Sequence, residues 1–92
     1  MNKAELIEIV ATNADTTKKT ANTILDALID CITQAVADGE KVTLVGFGSF
    51  EARERKARDG RNPKTGEQLI IPATTVPAFS AGKQFKDAVS RA

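Results

Sequence analysis

The apolar segment over residues 16–38 is the feature that most restricts how this chain can fold. Thr16 or Thr17 can cap a helix at its start, and Gly39 supplies a C-terminal stop. The apolar residues spread too widely around this helix for one short neighbour to cover; they are Ala21, Ile24, Leu25, Ala27, Leu28, Ile29, Cys31, Ile32, Ala35 and Val36. A helix that is apolar on most sides must be buried on most sides. We therefore predict that a second copy of the chain covers it.

The length and composition favour the same conclusion. A chain of 92 residues forms one domain with a modest core. Cys31 is the only cysteine and histidine is absent, which excludes a disulfide and an ordinary zinc site. Glu5 and Glu8 interrupt the first apolar stretch, unlike a signal peptide, and no segment approaches the roughly 18 apolar residues of a membrane span. We expect a cytoplasmic protein that is stabilised by self-association and has no membrane partner.

The remaining elements predict an α+β protein. A first helix is expected over residues 3–13, and a last short helix over residues 80–92, capped by Ser80. Between them, residues 53–76 are predicted to form a flexible two-stranded ribbon, which we call the arm. Its first strand should continue to about residue 59 and return through a strand that contains Pro72, which restricts that strand to an edge. The four aromatic residues are predicted to lie in the core; they are Phe47, Phe50, Phe79 and Phe85.

The charge is distributed unevenly along the chain. Residues 1–50 hold four lysines and seven acids, a net charge of −3, whereas residues 51–92 hold nine Lys or Arg and five acids, a net charge of +4. Six basic residues lie in the arm, which has little apolar content; they are Arg53, Arg55, Lys56, Arg58, Arg61 and Lys64. The alternative is a charged, solvated surface, but bases on both faces of a ribbon can line a phosphate backbone. Double-stranded nucleic acid is the predicted partner.

Pro63 lies at the predicted tip of the arm, within Asn62-Pro63-Lys64-Thr65. This is a favourable turn sequence, with Asn first, Pro second and Gly66 following. A rigid apolar ring at the end of a basic arm is also suited to insertion between base steps. The two roles are compatible, and both stay open on local grounds.

An enzymatic role is not supported. Ser80-Ala-Gly-Lys83 and Lys64-Thr65-Gly66 match two short motifs of serine acylases, but the third motif is absent and the chain is far too short for that fold. Without histidine there is also no ordinary general base. We expect no catalysis, no cofactor and no small-molecule substrate.

The segment GFGSFEARERKARDGRNPKTG resembles the signature of the HU/IHF family of bacterial histone-like DNA-binding proteins. The matching positions are Gly46-Phe47, Phe50, Arg55, Arg58, Gly60, Asn62-Pro63 and Thr65. MNKAELI at the start and VPAFSAGKQFKDAV near the end also resemble the family, so the likeness extends over essentially the whole chain.

The resemblance implies an intertwined dimer with a helical base, residues 1–39, a short β-sheet, and two arms that follow the minor groove of DNA. It further implies that Pro63 intercalates and that Lys3, Lys83 and Lys86 contact phosphates. We also predict that Asn62 contacts the minor groove. The resemblance also implies that Phe47 and Phe79 belong to the dimer core, and we predict that Ile29, Ile32, Val36, Leu44 and Phe50 join them there. Members of this kind bend and compact DNA in the nucleoid.

Within the family, the absence of terminal extensions favours binding without strong sequence preference. Because DNA that is already nicked or kinked spares part of the unstacking cost, it should bind better. An IHF-like subunit that prefers particular sites, a heterodimer with a paralogue, and a dimeric module that grips an acidic protein are the alternatives.

Overall fold

The computed structural model describes residues 1–91 and divides into two compact units, Met1–Gln34 and a second that begins at Ala35. Helix α1 covers Lys3–Asn13, as predicted, and α2 covers Lys18–Ala37, one residue short of the predicted end. The Asn2 side chain caps α1 by accepting a hydrogen bond from the Glu5 N–H at 2.9 Å. The Thr17 hydroxyl caps α2 in the same way, accepting from the Thr20 N–H at 3.1 Å.

The buried core of the first unit is very small. It contains Ile7, Ala11 and Ala21, with Leu25 packed against them. Large side chains of α2 stay in solvent, and Ile24 is 61% exposed. The chain exposes 7700 Å², whereas a folded monomer of this mass exposes about 5,200 Å². One chain alone therefore leaves about 2,500 Å² more surface in water than a self-sufficient domain of its size.

The second unit contains five strands and a helix. The strands are β1 Val42–Leu44, β2 Gly48–Arg55, β3 Arg58–Arg61, β4 Gln68–Ile71 and β5 Thr74–Ala81, and α3 follows over Lys83–Ser90. Strands β1, β2 and β5 form an antiparallel sheet with β2 in the centre, while β3 and β4 pair as a separate two-stranded sheet. We call the β3–β4 pair the distal hairpin, because it lies at the far end of the arm from the three-stranded sheet.

One face of the three-stranded sheet carries the aromatic side chains. Phe50 lies directly opposite Phe79, and their ring centroids are 4.9 Å apart. Phe47 packs against Phe79 at 5.4 Å and against Phe85 of α3 at 5.1 Å, so the four rings form one aromatic cluster. Gly48 lies beneath it, since a Cβ at this position would come within 2.5 Å of the Phe79 ring. Alternation along the strands places Ser49, Glu51, Arg53 and Ser80 on the opposite face, which we call the polar face.

The arm differs from the continuous ribbon that the sequence predicts. Pairing of β2 with β5 ends at Arg55 opposite Thr74, and pairing resumes in the distal hairpin with Arg58 opposite Ile71. The interruption falls at residues 56–57 and 72–73. Pro72, predicted to lie inside the return strand, is in this interruption, because it has no N–H with which to continue the ladder.

The start of the last helix was also predicted wrongly. Ser80 lies in β5, opposite Ser49, and its backbone is used in the ladder. The helix begins three residues later, at Lys83, and Gly82 occupies its N-cap position without a side-chain hydrogen bond. The Gly82 N–H donates instead to the Phe47 carbonyl oxygen at 2.8 Å, which ties the start of α3 to the sheet. The predicted end of this helix, Ala92, lies outside the described residues.

Candidate nucleic-acid interface

The tip of the arm is a turn held by Asn62. Its side-chain Oδ1 accepts a hydrogen bond from the Lys64 N–H at 2.9 Å, and its carbonyl oxygen accepts from the Gly66 N–H at 2.7 Å. The Asn62 N–H donates to the Glu67 carbonyl oxygen at 2.8 Å. Gly66 adopts φ of +73°, in the left-handed region that favours glycine. The predicted turn is confirmed, and it presents Pro63 in an exposed position.

The register of the distal hairpin separates two faces. One face carries Arg58 and Gly60 opposite Ile71 and Leu69; the other carries Asp59 and Arg61 opposite Ile70 and Gln68. Ile71 lies across Gly60, because a Cβ on that glycine would be 2.9 Å from the Ile71 Cδ1. The absence of a side chain at Gly60 therefore lets Ile71 lie flat on the hairpin.

Three aliphatic residues of the return strand are exposed on the distal hairpin. Leu69, Ile70 and Ile71 are 45%, 78% and 38% exposed. The prediction that the arm has little apolar content was wrong, since these residues occupy both faces of the distal hairpin. Their signal was present in the run QLII, where three aliphatic residues follow the turn.

The predicted basic residues of the arm differ in their partners. Arg53 forms an ion pair with Glu51, with 3.0 Å between Nη2 and Oε1, and also reaches the Ser80 hydroxyl at 3.4 Å. The hydrogen bond from Arg53 and the positive charge of Lys41 hold the pKa of Glu51 below its usual value. Within residues 1–91, the other predicted arm bases form no ion pair; they are Arg55, Lys56, Arg58, Arg61 and Lys64.

The predicted basic residues outside the arm lie in two places. Lys83 and Lys86 are exposed on α3, and the described part of the chain offers neither of them an ion pair. Lys3 belongs to the first unit, where its ammonium pairs with Asp26 of α2. A phosphate at Lys3 would therefore compete with an internal carboxylate, whereas at Lys83 and Lys86 it would not.

The predicted dimer-core residues are only partly covered within one chain. Ile29, Leu44, Phe47 and Phe79 are exposed, and Ile32, Val36 and Phe50 are partly buried. These side chains come from both units, and each unit by itself leaves apolar surface uncovered. Their role in a dimer stays a prediction.

Two further properties bear on the kind of site. Across residues 1–91 no three His, Cys, Asp or Glu residues are grouped as a metal would require. None of the helices in that same range is both long enough and apolar enough to cross a bilayer.

Comparison with known proteins identifies close relatives. Residues 1–90 match the model of the family described as bacterial DNA-binding protein. The chain is 62% identical to the DNA-binding protein HU of Synechocystis, covering 98% of this chain and 96% of that protein, and 59% identical to that of Clostridium pasteurianum, covering 99% and 100%.

Solved structures show the same fold. A structure described as an Anabaena HU–DNA cocrystal is 61% identical to this chain, covers 100% of both chains and superposes with a TM-score of 0.93. HU from Thermotoga maritima is 40% identical, with 98% of this chain and 100% of that chain covered and a TM-score of 0.70. The α+β fold predicted from the HU/IHF resemblance is thus confirmed, and this chain belongs to the bacterial DNA-binding protein family of HU-type histone-like proteins.

Proposed function

We propose that two copies of this chain form an intertwined dimer that binds double-stranded DNA without strong sequence specificity and bends it. The observation that carries the proposal is the distal hairpin, which has exposed basic side chains, exposed aliphatic side chains and a rigid turn with Pro63 at its tip. The DNA present in the Anabaena HU cocrystal and the names of the curated relatives support the choice of ligand.

The dimer is supported by the surface that one chain leaves in water. The excess of about 2,500 Å² per chain includes the exposed distal hairpin, so a pair would bury at most about 5,000 Å² of it, and obligate homodimers bury about 2,000 to 5,000 Å². Ile29, Phe47 and Phe79 are among the large apolar residues at this surface, with 49%, 46% and 42% exposure. A second copy would cover such residues on both chains at once, as a two-fold interface requires.

The positive charge of the arm comes mainly from bases that form no ion pair within residues 1–91. In the proposed complex Arg55, Lys56, Arg58, Arg61 and Lys64 contact phosphates along the minor groove, and Arg53 is available once its internal ion pair opens. Each phosphate contact releases counterions, so the affinity should fall steeply with salt. Lys83 and Lys86 add contacts from the body of the protein, and Lys3 does so when Asp26 releases it.

Pro63 is the proposed intercalating residue. None of the hydrogen bonds of the turn uses an atom of Pro63, so the ring is held by the backbone around it and is free to contact another molecule. Because the Asn62 Oδ1 is occupied in the turn, the side-chain NH₂ of Asn62 is the group proposed to donate to an acceptor in the groove. Unstacking a base step costs a few kcal/mol, and this cost is offset by the surface that bent DNA brings into contact.

The function proposed is architectural, without catalysis or a bound cofactor, and places the protein on DNA in the bacterial nucleoid. Bending and compaction would follow from two arms that hold one duplex. DNA that carries a nick needs less unstacking, so the dimer should prefer it to an intact duplex.

Fluorescence anisotropy with a nicked duplex and its intact counterpart, at several salt concentrations, tests the proposal. We expect tighter binding to the nicked duplex, and we expect Pro63→Ala to reduce that preference while the salt dependence persists. Pro63→Leu is the matched control, because leucine restores an apolar side chain of the kind that intercalates. Equal affinity of the wild-type protein for both duplexes would leave the proline as a turn residue only, and a lack of binding to either would overturn the proposal.

A further inference from the structure

The polar face of the three-stranded sheet holds a cluster of Glu51, Arg53 and Ser80. Glu51 and Arg53 are two residues apart on β2, so their side chains point to the same face. Ser80 joins them from the neighbouring strand, where it is paired with Ser49. The Arg53 Nη2 donates to the Glu51 Oε1 at 3.0 Å and to the Ser80 Oγ at 3.4 Å.

The cluster fixes the direction of the Arg53 side chain. Ser80 lies opposite Ser49, four residues before Arg53 along β2. To reach Ser80, the guanidinium must lie back toward the start of β2 and across to β5, away from the interruption at which the arm continues. Arg55, the next residue of β2 on the same face, has no such ion pair within residues 1–91. Arg53 and Arg55 therefore lie on the same face of β2, but of these two only Arg53 is held by an ion pair within the described residues.

The carboxylate that holds Arg53 is charged at neutral pH. Arg53 and Lys41 both face it, and they hold the pKa of Glu51 below its usual value. The side chains of Arg53 and Glu51 are 55% and 33% exposed, so the pair is accessible to a competing anion. A phosphate that reached Arg53 would have to replace Glu51, and the displaced carboxylate would then face the phosphate on the same side of the sheet.

We propose that Glu51 is a positioning residue that holds Arg53 against the sheet and withholds it from DNA until a phosphate displaces the carboxylate. The inference deepens the proposed function and rests on it. It assigns different roles to neighbouring arginines: Arg55 contacts DNA from the outset, and Arg53 contributes only when its internal partner is lost. The Glu51–Arg53 pair is partly exposed, so it is weak, and a DNA phosphate can compete with Glu51 for Arg53. Substituting Glu51 should therefore change the affinity for DNA measurably.

A double-substitution experiment on an intact duplex tests this role. Affinity is measured against salt concentration for the wild-type protein, Glu51→Gln, Arg53→Gln and the double variant. We expect Glu51→Gln to bind about threefold to tenfold more tightly, because two copies of Arg53 are released per dimer. The slope of log affinity against log salt should steepen by about 0.9 for each released arginine that gains a phosphate.

The effect of Arg53→Gln depends on the residue at position 51. In the wild-type background it should change the affinity less than about twofold, since Arg53 is already occupied. In the Glu51→Gln background it should remove the gain in affinity and the added salt dependence. An equal loss in both backgrounds would show that Arg53 contacts DNA whether or not Glu51 is present, and would overturn the inference.

Glu54→Gln is the matched control. Glu54 lies on β2 beyond Arg53, its side chain points to the opposite face, and the substitution removes the same charge. We expect it to leave the salt dependence unchanged. If Glu54→Gln reproduces the gain of Glu51→Gln, then Glu51 acts only through net charge and the positioning role is excluded. A wild-type protein that fails to bind any duplex would instead overturn the proposed function itself.

Discussion

The three-stranded sheet and the distal hairpin use the same antiparallel pairing but differ in what covers them. In the sheet, four aromatic rings pack together on one face, and Gly48 leaves room for them. In the distal hairpin, Leu69, Ile70 and Ile71 lie in solvent on both faces. Backbone pairing alone makes a two-stranded ribbon marginal in water, whereas packed side chains stabilise a sheet. Phe47 and Phe79 stay 46% and 42% exposed, so the two regions differ in ring-to-ring packing and not in whether one chain buries their apolar side chains.

The largest effect on stability is expected from substituting Gly48 in the three-stranded sheet, compared with Gly66 in the arm. In Gly48→Ala the new Cβ would meet the Phe79 ring and the Ser80 carbonyl oxygen at 2.5 Å, and neither can move freely. We expect a loss of about 3 kcal/mol in the free energy of unfolding. Thermal unfolding at one fixed protein concentration measures it.

Gly66→Ala is the counterpart in the arm. Gly66 has φ of +73°, and no atom lies within 4 Å of the point where its Cβ would be, so only local strain of about 1 kcal/mol is expected. Because this strain falls in the distal hairpin, it should shift the melting temperature of the whole protein much less than Gly48→Ala does. If the two variants are equally destabilised, the distal hairpin unfolds together with the three-stranded sheet. The proposed difference in stability between the two regions would then be wrong.

Hydrogen exchange should reveal the same difference without a substitution. Amides paired between β2 and β5 are expected to open with free energies close to that of global unfolding, while those paired between β3 and β4 should open at least about 2 kcal/mol more easily. Adding a duplex should slow exchange in the distal hairpin and change the sheet little. Equal protection of both regions in the free protein would contradict the view that the hairpin lacks a covering partner.

The substitution Ile70→Thr is expected to have a smaller effect on the free energy of unfolding. Ile70 is 78% exposed, and threonine keeps the β-branched shape that strands favour. The free energy of unfolding should change by less than about 0.5 kcal/mol. Phe79→Leu, an apolar replacement within the aromatic cluster, is the comparison and should cost more. A large loss in Ile70→Thr would mean that this side chain is covered in the dimer.

The smallest expected effect concerns acid conditions. The hydrogen bond from Arg53 lowers the pKa of Glu51 below its usual value of 4.5. A lowered pKa in the folded state stabilises the protein above the unfolded pKa, and this contribution is lost as the pH falls through the folded value. The difference in melting temperature between the wild-type protein and Glu51→Gln should therefore shrink as the pH falls from 6 to below 4.5. A difference that stays constant over this range would indicate that the ion pair does not stabilise the sheet.

Much of the arm could be predicted because its determinants are local. The turn depends on Asn62, Pro63 and Gly66, which lie within five residues of one another, and its hydrogen bonds involve the neighbouring backbone. The start of α2 likewise depends on Thr17, whose hydroxyl reaches only three residues along the chain. Short-range chemistry of this kind can be recognised in the order of the residues.

The errors arose where distant residues decide the structure. Ser80 is a plausible helix cap by its position in the sequence, but pairing with Ser49 draws it into a strand. The exposure of the aliphatic run after the turn was not predicted, because exposure depends on what packs against a strand, and the described part of the chain leaves these side chains 38% to 78% exposed. The pairing of Arg53 with Ser80 joins residues 27 positions apart, and no local pattern indicates it.

The order of the residues was enough to specify the first two helices and the threonine cap of α2, a basic arm with a proline turn, and more apolar surface than a chain of this size can bury. Those features follow from spacing, charge and turn chemistry between near neighbours. Three others emerged only from the folded chain: the place where the arm is interrupted, the face that carries the aromatic cluster, and the ion pair of Arg53, which Arg55 lacks in the described part of the chain. These depend on strand register, which is set by contacts between residues far apart in the chain.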